Sequence, residues 1–150
     1  MYNKHGYFDK VIDNLGKHSM ILLHPASIIQ AALPKIFGEV GAPFFEDLKS
    51  KLKACAVAAF ERLSSIKGIK PIQSSAAMYM MIKIDLDQFE GISDDIDFCK
   101  KLLADQNVLT FPGQCFFSKG FFRIIICTTP DIVRQFGDRL QDFCNKYYKN

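Results

Sequence analysis

A chain of 150 residues, 49% hydrophobic, with 14 phenylalanines and no tryptophan, is long enough for one domain with a sizeable core and too apolar to be disordered. Its net charge of +3 comes from lysines spread along the sequence, which excludes the concentrated basic footprint of a nucleic-acid binder. No apolar run reaches the ~18 residues of a membrane span, and the opening Met-Tyr-Asn-Lys-His-Gly has no apolar signal core, so the expectation is a cytoplasmic protein with neither membrane nor nucleic acid as partner.

Tyr7–Gly16 reads as a short helix with Phe8, Val11, Ile12 and Leu15 on one face and Gly16 as its stop. A second helix runs from Pro25, well placed in a first turn, to about Ile36, with Ala26, Ile29, Ala32 and Leu33 facing inward and Pro34 as a kink or an end. Phe44 to about Ile66 is the strongest helical pattern. Leu48, Leu52, Cys55, Ala59, Leu63 and Ile66 recur at three and four residues, Lys49, Lys51 and Lys53 lie on the solvent side, and Lys67-Gly68 closes it.

Ile72–Ser75 leads into an apolar strand, Ala77–Ile84, with Met78, Met80, Ile82 and Ile84 on one face and Tyr79, Met81 and Lys83 on the other. A helix follows from Ser93-Asp94-Asp95, the serine as its cap and the aspartates at its positive end, with Ile96, Cys99 and Leu103 as its stripe. Val108–Phe111 and Phe121–Cys127 are further strands. Thr129-Pro130-Asp131 opens a last helix, striped by Ile132, Phe136, Leu140, Phe143 and Tyr147. This order predicts an α+β fold, a small sheet of about three strands covered by helices with a long helix leading in.

Within Phe121–Cys127, Arg123 is the only charge. A half-buried guanidinium is costly unless an anion meets it. A strand preceded by the Pro112-Gly113 turn would aim the planar fork in a fixed direction, which suits a carboxylate. Pairing with a nearby aspartate, or snorkelling to water, is the alternative.

Four stretches in order carry a family likeness: His24-Pro-Ala-Ser-Ile-Ile-Gln-Ala-Ala-Leu33; residues 69–81, containing Ser-Ser-Ala-Ala-Met-Tyr; residues 97–108; and Leu109-Thr-Phe-Pro-Gly-Gln-Cys-Phe-Phe followed by Gly120-Phe-Phe-Arg-Ile124. Together they resemble the C-terminal part of the fold-type I, pyridoxal-phosphate-dependent aminotransferases of class I/II, closest to the tyrosine aminotransferases. The likeness runs from about Tyr7 to Tyr148, and the last stretch is the most specific.

The resemblance implies that Arg123 grips the substrate's α-carboxylate, fixing the orientation that transamination requires. It implies pyridoxal phosphate as cofactor, amino acid and 2-oxo acid as substrates, and a homodimer in the intact enzyme. It also implies that the lysine forming the Schiff base lies N-terminal to everything matched. The family's phosphate-holding arginine and Gly-Trp pair have no counterpart, because there is no tryptophan and the arginines are Arg62, Arg123, Arg134 and Arg139. Ala76 stands where the family has glycine. Residues 1–150 therefore read as an aminotransferase C-terminal domain, with the interdomain helix region at about residues 20–66 and the large cofactor-binding domain mostly absent. Such a chain is expected to supply no catalytic or cofactor-binding residue and to be inactive alone. The intact enzyme would transfer an amino group from tyrosine, or a similar aromatic amino acid, to 2-oxoglutarate in a ping-pong reaction. A rival reading from another class is a non-catalytic interaction domain that pairs with a full-length relative. A third is a truncated fragment with no role of its own.

Other groups point less far. Cys55, Cys99, Cys115, Cys127 and Cys144 form no Cys-x-x-Cys pair and read as buried reduced thiols, and His5, His18 and His24 lack zinc-ligand spacing against them. Lys100-Lys101 and the Lys49/Lys51/Lys53 group read as solvated helix faces rather than phosphate sites. Asp85, Asp87, Asp94, Asp95 and Asp97 lack the glycine and glutamate spacing of a calcium loop. His24 is read as a surface or capping residue, Tyr79 and the Met78/Met80/Met81 cluster as core.

Overall fold

The computed structural model describes residues 5–21 and 25–149. The chain divides into two units, Met1–Phe44 and Phe45–Asn150. The first contains α1, Asp9–Ser19, and α2, Ser27–Glu39. Gly16 does not stop α1, which runs one turn further, and α2 passes through Pro34 instead of ending there. Neither helix buries a residue, and Ile29, expected to face inward, is 59% exposed. Two short helices offer too little surface to enclose a core of their own.

α3, Ala42–Ser64, carries the chain into the second unit. Its predicted stripe is correct from Cys55 onward: Cys55, Ala59, Leu63 and Ile66 are buried, whereas Leu48 is exposed. A turn at Gly68 follows, with φ +81°, where a Cβ would come within 2.4 Å of the Phe89 ring. Only glycine fits both the left-handed backbone and that contact.

The sheet has four antiparallel strands in the order β1-β2-β4-β3, one more than expected. They are β1, Ile69–Pro71; β2, Tyr79–Ile84; β3, Phe111–Pro112; and β4, Phe121–Ile125. β1 went unread because three residues ending in proline carry no strand pattern. Pro71 and Pro112 both lie on the outer strands, where a missing N–H disrupts no central ladder. Met80, Ile82 and Ile84 of β2 and Phe122 and Ile124 of β4 form the buried face. Met78 lies outside it at 43% exposure and Met81 is on the opposite face, so only Met80 of the methionine cluster is core.

α4, Asp95–Gln106, and α5, Pro130–Tyr147, complete the cover. The cap of α4 is Asp94, not Ser93: its carboxylate accepts from the Asp97 N–H at 2.8 Å, while Asp97 accepts from the Ser93 N–H at 3.1 Å. The two bonds satisfy two backbone donors at the start of the helix. The buried stripe of α4 is Phe98, Cys99 and Leu102, and Leu103 is exposed. On α5 it is Val133, Gly137, Leu140, Phe143 and Cys144, with Ile132 exposed and Phe136 and Tyr147 packed at the core's margin. Phe98 is the centre of the core. Its ring stacks on Phe122 at 5.2 Å and meets Phe143 and Phe89 edge-on at 5.0 and 5.7 Å, arrangements that favour the ring quadrupoles. Arg62 of α3 reaches α5, its Nε and Nη2 donating to Asp138 at 3.0 and 2.8 Å. Among the described residues no helix is long and apolar enough to cross a membrane.

All five cysteines are free, but only Cys55, Cys99 and Cys144 are buried; Cys115 and Cys127 are exposed. Burial pushes the Cys99 thiol up to about 11 and the Cys144 thiol to about 12, so both are protonated at neutral pH and poor nucleophiles. A disulfide reagent added to the native chain is therefore expected to modify Cys115 and Cys127 rapidly and the other three only with unfolding. Mass mapping of the labelled peptides reads this, and fast modification of Cys99 would contradict the packing.

Candidate functional site

β4 lies between β2 and β3, and its alternation sends Phe122 and Ile124 into the core and Arg123 to the opposite face. Arg123 pairs across the sheet with Met81 on one side and Phe111 on the other. Tyr79, two positions along β2, shares that face. The 3₁₀ turn Gly113–Phe116 adds a third aromatic ring. The guanidinium carbon lies 3.9 Å from the centre of the Phe116 ring, 4.2 Å from that of Tyr79 and 5.7 Å from that of Phe111. Cation–π attraction of this kind is worth about 0.5–2 kcal/mol and restrains a planar cation without neutralising it.

No described carboxylate forms an ion pair with Arg123, and its Nε is buried without a hydrogen-bond partner. The internal aspartate partner that was the alternative reading of the sequence is therefore not found among the described residues. A cavity of 220 Å³ lies beside the arginine, lined among others by Thr110, Phe111, Ile125 and Phe136. Rings fix the cation's position, its donors are left over, and a cavity adjoins it. Such an arrangement can receive a carboxylate from outside the fold.

The hairpin that delivers Phe116 is tightly wound. A Cβ at Gly113 would lie 2.0 Å from the Ser118 carbonyl oxygen, and Phe117 adopts a left-handed backbone with φ 56°. Asp95, 1% exposed, lies against this hairpin. Its carboxylate accepts from the Gln114 backbone N–H at 2.9 Å, the Gln114 side-chain amide at 3.0 Å and the Gly120 N–H at 3.2 Å. Burial alone would raise its pKa, but these donors outweigh it and hold the carboxyl below its usual value. Sequence reasoning missed both Phe116 and Asp95 as parts of this region. The Cys115-Phe116-Phe117 run stands out only in the family likeness, Asp95 only at the positive end of its helix and among aspartates without calcium-loop spacing, and nothing local ties either to Arg123.

The other residues singled out in the sequence are placed as follows. Tyr79 is not core: it is 38% exposed with its ring on the guanidinium. His24 lies outside the described residues. Lys49 and Lys53 border a second cavity, of 410 Å³, between α3 and residues 73–77, and Ala76 is exposed on its wall. Lys51 pairs with Asp47, Lys101 with Asp97, and Asp85 with Lys70 and Lys83. No group of three His, Cys, Asp or Glu side chains suited to a metal is present among the described residues.

Pyridoxal phosphate, the cofactor implied by the resemblance, needs a sheltered lysine for its Schiff base. Every described lysine is exposed except Lys101, which is held by Asp97 and the Gly91 carbonyl. The described residues thus offer no covalent site for that group, and no step through it is assigned to them.

The family model "Aminotransferase class I and II" matches residues 6–140. Tyrosine aminotransferase of Mus musculus is 34% identical over 140 residues, an alignment covering 93% of this chain and 31% of that protein. Its counterpart in Dictyostelium discoideum is 33% identical over 143 residues, covering 93% and 34%. The crystal structure of tyrosine aminotransferase from Leishmania infantum shares the fold with a TM-score of 0.80 at 24% identity, over 98% of this chain and 36% of that one. The chain spans about a third of the length of the curated relatives it matches. It belongs to the fold-type I, pyridoxal-phosphate-dependent aminotransferases of class I and II, and the part of them that it contains is the C-terminal small domain.

Proposed function

We propose that this chain is the C-terminal portion of a tyrosine-aminotransferase-like enzyme, and that Arg123 is its carboxylate clamp, taking the α-carboxylate of the amino acid in one half-reaction and that of the 2-oxo acid in the other. The preferred donor is tyrosine or another aromatic amino acid, the acceptor 2-oxoglutarate, and the intact enzyme works as a cytoplasmic homodimer. Residues 1–150 serve as the C-terminal domain with the interdomain helix region at about 20–66. The observation that carries this reading is the guanidinium framed by Phe116 and Tyr79, with a buried Nε and no counter-charge among the described residues. The tyrosine aminotransferases among the similar proteins support the choice of substrate.

A second reading, a non-catalytic domain that pairs with a full-length relative, is favoured by the exposed apolar residues Tyr79, Phe111 and Ile125 on the face that carries Arg123. Exposed apolar surface of this kind marks contact sites. Light scattering separates the two readings together with a pull-down against a full-length relative: a monomer that captures none overturns the second.

The first reading is tested in a chimera in which this chain replaces the corresponding segment of the mouse enzyme. The chimera is expected to transaminate tyrosine. Arg123→Lys, which keeps the charge but loses the fork, is expected to lower kcat/KM by roughly 30- to 5,000-fold, the equivalent of about 2–5 kcal/mol. A folded chimera without activity, or one indifferent to Arg123→Lys, overturns the assignment. In the 150-residue chain itself Arg123→Met is expected to leave stability within about 1 kcal/mol of the parent by urea denaturation, because lost ring contacts are offset by removal of an unpaired buried donor. A loss above about 3 kcal/mol would mark the arginine as structural.

A further inference from the structure

We infer that Asp95 is a positioning residue for Arg123, acting through the hairpin that carries Phe116; this rests on the reading of Arg123 as a carboxylate clamp. Asp95 opens α4, yet Asp94 supplies the side-chain cap of that helix. The hydrogen bonds of the Asp95 carboxylate go instead to the two ends of a loop 19 and 25 residues away, the Gln114 N–H and side-chain amide at one end and the Gly120 N–H at the other. One oxygen takes Gln114 N–H; the other takes the amide and Gly120.

A single ionised, fully buried carboxylate therefore closes the loop from outside. Charge-assisted bonds to backbone N–H groups are about twice as strong as neutral ones. Phe116 lies between the two tethered points, and its ring is the one nearest the guanidinium, at 3.9 Å. The Gly120 carbonyl in turn accepts from the Ile84 N–H at 2.8 Å, joining the far end of the loop to β2, the strand that supplies Tyr79. Of the three rings on the cation, the nearest, that of Phe116, is thus carried by the anchored loop. The anchor matters because no counter-charge among the described residues holds the cation. If the loop loosens, nothing but Tyr79 and Phe111 restrains the fork.

Asp95→Asn keeps the shape but removes the charge and one acceptor. In ¹⁵N spectra of the full 150-residue chain, the Arg123 Nε–H is expected to resonate away from the free-arginine position, because rings flank it, and to exchange slowly, because Nε is buried. Asp95→Asn is expected to move it toward the free position and to speed its exchange by roughly tenfold or more, with the core methyls of Ile82 and Leu140 unchanged. Asp97→Asn, which disturbs the other acidic group of the same turn, is expected to do neither. An unchanged Arg123 signal in a folded Asp95→Asn chain overturns the inference, as does an equal response to Asp97→Asn. If Asp95→Asn fails to fold, Gln114→Ala removes one of the three bonds and is expected to shift the signal in the same direction by less; no shift then overturns it. In the chimera, Asp95→Asn is expected to raise KM for tyrosine and for 2-oxoglutarate in parallel with a smaller change in kcat. The spectra report where the guanidinium sits whether or not the chimera is active, so loss of the functional reading and loss of this one are told apart.

Discussion

A positive charge held in place by aromatic rings, with no negative charge paired to it among the described residues, is the condition on which the rest of this molecule turns. A guanidinium in a half-buried position ordinarily acquires an internal aspartate or glutamate, since an unpaired buried ion is expensive. Arg123 has instead Phe116 and Tyr79, which restrain its plane and lower its cost without cancelling its charge. This arrangement is the ground on which we propose an outside anion as its partner. Binding groups held ready for a partner are seldom at the minimum of the fold's own free energy.

The remainder of the second unit supplies rigidity under that charge. β4 is the strand next to the middle of the sheet, hydrogen-bonded on both sides, so the backbone at Arg123 has neighbours along both edges. Beneath it Phe122 stacks on Phe98, which meets Phe143 of α5 and Phe89. Removing such a ring typically costs about 3–5 kcal/mol. The alternation of the strand thus sets a fully buried ring, stacked on Phe98, directly next to the residue reaching outward. On the far side α4 meets α5 again through Asp105, which accepts from Lys146 at 2.6 Å and Tyr147 at 2.9 Å; these bonds, the lysine's first, hold the Asp105 carboxyl below its usual value.

How much of this could be read from the sequence depends on the range of the interaction involved. Arg123 was legible because a lone charge breaks an apolar strand. The lower half of α3 was legible because its period is regular and its face is buried. The stripe of α4 was misjudged by a residue: Ile96 and Leu103 fit the helical period as well as Phe98 and Leu102, and only the position of the sheet decides between them. β1, three residues long, exists because β2 offers a free edge, and no local pattern announces it; the strand expected at Val108–Phe111 is present only as the two residues of β3, Phe111–Pro112. Phe116 and Asp95 were invisible for the same reason at larger scale. The loop that one carries and the other anchors is assembled from positions about 20 residues apart, and a propensity read along the chain does not report a hydrogen bond across it.

The prolines of the two outer strands have a consequence for assembly. Each border of the sheet is short and carries a residue unable to donate to a further ladder, Pro71 on one side and Pro112 on the other. Lateral growth by strand addition, the common route to both peptide capture and aggregation, is therefore disfavoured at both rims. The broad face on which the guanidinium stands, with Tyr79, Phe111 and Ile125 exposed beside it, carries no such obstacle.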